Sequence, residues 1–176
     1  MALDWDIRRH LEPYIETHLV YELKYLLVAA TTWSAVQAEQ DREPWPDHLV
    51  VMAMESAFVH NRTLCEFLGL KEGWASGPRS PHSAPRLPLW DRYSKPMHMK
   101  VLHPDPRRPY ATGVQGGDDL KDRVVDLARE VLFAWDQVAQ QAEMTDFRGA
   151  MVRARNSAVV DSQRSAARMT VKALFL

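Results

Sequence analysis

The chain has 176 residues, 46% of them hydrophobic, and 22 Lys and Arg against 23 Asp and Glu for a net charge of -1. That length and apolar content sustain one substantial core and call for no second one. The balanced charge excludes the global basic footprint of a nucleic-acid-coating protein, and a single cysteine, Cys65, excludes an intramolecular disulfide and points to a reducing, cytoplasmic setting.

The opening MALDWDIRRH places Asp4 and Asp6 where a secretory signal needs a basic start and an apolar run, and the nearest apolar run is only LLVAA at 26–30. Neither export nor a membrane partner is expected. Residues 14–40 are predicted as a long helix, with Pro13 tolerated in its first turn and Pro44 and Pro46 stopping it. Two apolar stripes run along it. One holds Tyr14, Tyr21, Tyr25, Val28 and Val36 with His18 among them, the other Leu19, Leu23, Leu26 and Leu27. The pair reads as a central helix packed on several neighbours, and the aromatic stripe as core rather than a base-stacking platform, which usually sits on an exposed sheet.

A second helix is predicted from Asp47 to Leu68, the acidic residue complementing the helix dipole and Gly69 stopping the helix. From residue 69 to 117 the chain holds eight of its eleven prolines and six of its seven glycines, so no long helix crosses that stretch. It reads as a crossover that packs in pieces, anchored by Leu87, Leu89, Trp90, Met97, Val101 and Leu102. Asp118 or Asp119 then caps a third long helix, in which Leu120, Val124, Leu127, Val131, Ala134, Trp135 and Val138 recur at helical spacing.

The sequence thus predicts an all-α protein, a bundle of three to five helices over residues 1–144 followed by a basic C-terminal tail at 145–176. The tail carries Arg148, Arg153, Arg155, Arg164, Arg168 and Lys172 against Asp146 and Asp161, a net +4 that leaves -5 for the body. Its small residues and weak periodicity predict a marginal helix that docks on a partner or on the bundle.

The chemistry concentrates in ESAFVHNRTLCEFL, residues 55–68. His60 and Asn61 fall inside the wide apolar arc of that helix and Arg62 lies on its edge. A buried amide or imidazole left unpaired costs about 1–3 kcal/mol, so partners on another segment are expected. Arg62 has two readings: an ion pair with Glu55 or Glu66 along its own helix, or an anion clamp whose planar fork of donors suits phosphate. His60 is either a satisfied core histidine or, facing a cavity, a proton-transfer group. His98 and His103 lie five apart with no second ligand cluster, so no metal is assigned. No phosphate loop, nucleophile elbow or activated cysteine is present, and no cofactor is implied.

The same stretch resembles a helix motif, E-S-F-L-x-H-x-R-x-L-x-x-F-L, of small all-helical bacterial proteins, matching at Glu55, Ser56, His60, Arg62, Leu64, Phe67 and Leu68. A second motif of those proteins, N-K-H-x-x-H-L-T followed by Arg, is similar to MHMKVLHPDPRR at Lys100, His103 and Arg107, with Pro104 and Asp105 in place of Leu-Thr. These proteins look distantly like the HEPN group, helical bundles that include metal-independent ribonucleases of toxin and defence systems and purely interacting members. The Arg-to-His spacing of active members is approached by Arg92 and His98, but Pro96 between them breaks the helix they would share.

Two functions are therefore expected. In the first, a HEPN-like domain binds or cleaves RNA, with His103 or His60 as general base or acid, Arg62 on the scissile phosphate, and Glu55 and Arg107 supporting substrate. In the second, a non-catalytic helical protein binds a protein partner or a second copy, and His60 and Arg62 fix how the helices pack.

Overall fold

The computed structural model describes residues 7–39, 47–69, 85–97, 120, 122–142 and 145–173. Among them every regular element is helical and none is a strand. Helix α1 spans 7–39, as an α-helix over Ile7–Tyr14, a π-helical turn over Ile15–Leu19 and an α-helix over Val20–Glu39. Helix α2 is Asp47–Gly69, α3 is Pro88–Met97, α4 is Val124–Gln141 and α5 is Thr145–Ala173.

The first helix begins seven residues before the predicted start at residue 14, and Pro13 lies inside it rather than in its first turn. The apolar pattern explains why. Leu11, Ile15, Leu19 and Leu23 recur every four residues and are all fully buried. At 3.6 residues per turn such a series drifts by about 40° at each step, which would carry it off the core. The π turn, with the Val20 amide donating to the Ile15 carbonyl five residues back, takes up the extra residue and holds the four side chains on one face. Proline, which lacks a donor, sits just before this loosened stretch, and the Thr17 hydroxyl donates to the Pro13 carbonyl at 2.6 Å.

Helix directions follow from specific pairs. Asn61 meets Leu127 and the Phe67 ring meets Trp135, so α2 and α4 run the same way. Arg153 pairs with Glu12 and Glu16 while Lys24 pairs with Asp161, so α5 runs parallel to α1. Residues 40–46 are too few to return along a 23-residue helix, so α2 descends antiparallel to α1. The result is a four-helix bundle in which α1 lies between α2 and α5, with α4 completing the ring. Parallel α2 and α4 require a long crossover between them, which is the role of the Pro- and Gly-rich stretch.

The core draws on all five helices, including Leu23, Leu26, Phe58, Leu64, Met97, Leu127, Trp135 and Phe147. The segment set apart in sequence as a basic tail is, over Thr145–Ala173, a helix whose Phe147, Ala150, Met151, Ala154 and Ala158 join that same core. It docks on the bundle, and alanines at the contact let the backbones approach. Helix α4 spans Val124–Gln141, and the aspartates 118 and 119 expected to cap it lie outside the described residues. A turn closed by the Arg123 amide on the Leu120 carbonyl precedes it, and Arg123 supplies no side-chain cap.

Helix α3 continues through Pro96 to Met97, so the break expected at that proline does not occur among the described residues, while His98 lies outside them. The helix is capped from outside. Pro88 fills its first position, where a missing amide costs nothing, and the Asp91 amide donates to the Leu87 carbonyl to close the first turn. Leu87 has no side-chain acceptor, and Glu130 of α4 supplies one, accepting from the Leu89 amide at 2.7 Å and the Trp90 amide at 2.9 Å. Burial pushes the Glu130 carboxyl above its ordinary value, the two amides pull it back in part, and Asp91 adds to the rise. The folded state therefore holds this proton to higher pH than the unfolded state. Between the ordinary and the raised value, folding stability falls as pH rises. Glu130→Gln, which keeps one of the two acceptor oxygens and loses the charge, is expected to flatten that fall in melting temperature as pH rises from the ordinary carboxyl range. Wild-type and variant profiles that run parallel would show that the cap carries no proton linkage.

Candidate functional site

The helix α2 residues singled out by sequence do not share one site. His60 is partly buried and turns to α1, its Nδ1 lying 2.7 Å from the Glu22 carboxylate. Its ring stacks on Tyr25 at 5.7 Å and meets Tyr21 edge-on at 6.0 Å. Asn61, one residue on, is 1% exposed. It faces α4, donating to the Leu127 carbonyl at 3.1 Å, and its own carbonyl accepts from the Cys65 thiol at 3.6 Å. Arg62 turns further round and its Nε donates to Glu66 at 2.7 Å, along a rim where the arginine side chain is 34% exposed. Positions two apart on a helix are rotated by about 200°, so the His60 imidazole and the Arg62 guanidinium look to different sides.

The sequence-derived site therefore divides. His60 finds its partner on α1, Arg62 forms the ion pair within its own helix, and Glu55 is a partly buried residue of α2 two turns before Arg62. His103 and Arg107 lie outside the described residues, as does His98. Cys65 is buried, and burial first, then the carboxylates of Glu130, Asp91 and Glu66, pushes its thiol well above the ordinary range. It is a small core residue with no nucleophilic character at neutral pH. Among the described residues no group of three or more His, Cys, Asp and Glu side chains is placed to hold a metal ion. None of the described helices is long and apolar enough to cross a membrane.

A different feature emerges on α1. The aromatic stripe expected in the core lies on the outside: Tyr14 is 39% exposed, Tyr21 51% and Tyr25 37%, with His18 exposed between them. The reason is competition between two apolar arcs on one helix. The leucine arc wins the interior because aliphatic side chains bury without a polar atom to satisfy, whereas each tyrosine carries a hydroxyl that is cheaper to leave in water. Only Val36, at the far end of the stripe, is buried.

The rings form two groups. Tyr14 and His18 lie 5.3 Å apart, and Tyr21 and Tyr25 lie 4.4 Å apart with His60 of α2 completing the second group. Charged pairs border the stripe. On the α5 side Arg153 donates to Glu16 at 2.6 Å and to Glu12 at 2.7 Å, and ten or so residues along α1 Lys24 lies 3.7 Å from Asp161 and 5.6 Å from the Tyr25 ring centroid. Glu22, which the sequence reading did not single out, holds His60 on the other side. Chemically this is a row of amphipathic rings, pinned by neighbours and rimmed with both signs of charge, a surface fitted to docking.

Comparison with known proteins finds no family model that matches the chain, and no curated protein or solved structure matches it.

Proposed function

We propose that this protein is a non-catalytic helical interaction module that docks a protein partner on the solvent face of α1. The observation that carries the reading is the row Tyr14, His18, Tyr21 and Tyr25, exposed on the bundle's first helix, with Tyr25 stacked on His60 and Tyr21 edge-on to it. Aromatic side chains with few rotatable bonds contribute a large contact area at small entropic cost, and tyrosine is enriched among residues that dominate binding. His60 serves this surface as a support: its contact with Glu22 fixes the ring against which Tyr25 lies. The divergence of His60 and Arg62 argues against a shared general acid and phosphate clamp.

A second reading, RNA binding by a HEPN-like domain, draws support from the same rings, since exposed aromatics stack on bases without regard to sequence. The rim lends it no support: Glu12, Glu16, Glu22 and Asp161 offset Arg153, Lys24 and Arg164, so the described charges give no positive field where phosphates would approach.

One pair of baits separates the readings. Tagged wild-type protein and a Tyr14→Ser/Tyr21→Ser variant, matched for melting temperature, are presented to lysate with and without nuclease, with retained proteins identified by mass spectrometry. A set of proteins retained by the wild type, resistant to nuclease and lost from the variant, is the expected result. Loss on nuclease treatment would favour RNA, and identical sets on both baits would remove α1 from the binding surface.

A further inference from the structure

We infer that the occupant of the α1 face is a second copy of this chain, seated antiparallel so that α1 packs on α1. The inference rests on the interaction reading above and adds the partner's identity. Its first support is the spacing of the rings. Positions 14, 18, 21 and 25 are separated by 4, 3 and 4 residues, a series that reads the same in both directions. A two-fold axis passing between residues 19 and 20 sets Tyr14 against Tyr25 of the second copy and His18 against Tyr21 of the second copy. A self-complementary patch of this kind is what a closed two-fold interface requires, because each contact must occur twice.

The second support is charge. The α5 side of the stripe carries Glu12, Glu16 and Arg153 at one end, a net -1, and Lys24, Asp161 and Arg164 at the other, a net +1. An antiparallel two-fold lays the α5 side of one copy against the α5 side of the other with the ends exchanged, so each negative end meets a positive one. A parallel two-fold would instead lay the α5 side of one copy against the α2 side of the other, and these charges would lose that pairing.

Sedimentation of the purified full chain tests the inference without any other protein present. The expected wild-type species has twice the 20.2 kDa chain mass. Tyr14→Ser/Tyr21→Ser is expected to raise the dimer dissociation constant by about 30-fold or more, since each copy loses two of the three tyrosines of the stripe. Phe133, exposed on α4 away from the stripe, is the control, and Phe133→Ser leaves the dimer intact. Register is read by mixing His18→Cys and Tyr21→Cys chains under mild oxidation, where a cross-link between the two variants should exceed that within either. A wild-type chain that sediments as a monomer at all concentrations, or a dimer insensitive to the double serine variant, overturns the second-copy assignment. A monomeric chain whose bait comparison still shows stripe-dependent partners would leave the interaction reading standing and refute only this one.

Discussion

Trp135→Ala is expected to remove about 3–5 kcal/mol of folding stability, read as a shift in the urea unfolding midpoint at unchanged slope. Trp135 is the largest fully buried side chain of the bundle, with its ring 6.2 Å from Phe67 of α2 and its indole N–H donating to the Met151 carbonyl of α5 at 2.9 Å. It touches both neighbours of α4, so its loss opens a cavity where three helices meet, and a four-helix core has little freedom to collapse around such a hole. Domains of this size have about 5–15 kcal/mol in total, so the variant approaches the edge of folding at body temperature. Trp135→Phe keeps most of the ring and loses the indole donor, and a cost of about 1–2 kcal/mol is expected. Equal costs for the two variants would mean that the hydrogen bond, not the volume, holds α5 in place.

The second large effect is expected at Asn61, where the change is chemical rather than volumetric. Asn61→Asp keeps the shape but replaces the donor facing the Leu127 carbonyl with an acceptor, and at neutral pH it places a charge in a site 1% exposed. A loss of about 3 kcal/mol or more is expected. The sign of its pH dependence follows from linkage. Burial favours the protonated acid in the folded state, so the variant's deficit shrinks as pH falls and grows as pH rises through the carboxyl range. Asn61→Leu, by contrast, is expected to cost little, because the Leu127 carbonyl keeps its helical partner four residues on and the only group left without its partner is the Cys65 thiol, a weak donor. Urea unfolding of the two variants at about pH 4 and 7 decides the matter. An aspartate variant with a pH-independent deficit would place position 61 in contact with water.

Asn61 also shows how far a polar group's placement was legible. Its position in the apolar arc of 55–68 demanded a partner on another segment, and α4 provides one. The same demand at His60 is met by Glu22 of α1. That a partner must exist follows from the cost of burying an unpaired polar group; which segment supplies it depends on helix order and rotation, and these are properties of the assembled bundle. Arg62 illustrates the reverse case, since the glutamate one turn ahead offered a local partner and the side chain takes it.

The aromatic stripe marks the clearest divergence. Tyrosines and leucines both count as apolar in a periodic pattern, so α1 presented two candidate core faces, and the period alone does not register the hydroxyls that favour leaving the tyrosine side in water. That preference is realised against α4, whose Leu127, Val131, Trp135 and Val138 occupy the bundle interior and meet the leucine side. The tyrosine side was left facing outward between α2 and α5.

By itself the sequence determined that this chain is all-helical, that α2 ends at Gly69, that a proline-studded crossover joins two long helices, and that His60 and Asn61 need partners. Each of those rests on local physics, the period of apolar residues, the stiffness of proline and the desolvation cost of a polar atom. The tertiary structure decided that α1 carries its helix through Pro13, that α5 belongs to the core, that Glu130 caps α3 and that the tyrosine row faces solvent. Those outcomes depend on contacts between residues far apart in the chain, where packing free energy summed over many side chains outweighs the preference of any one segment.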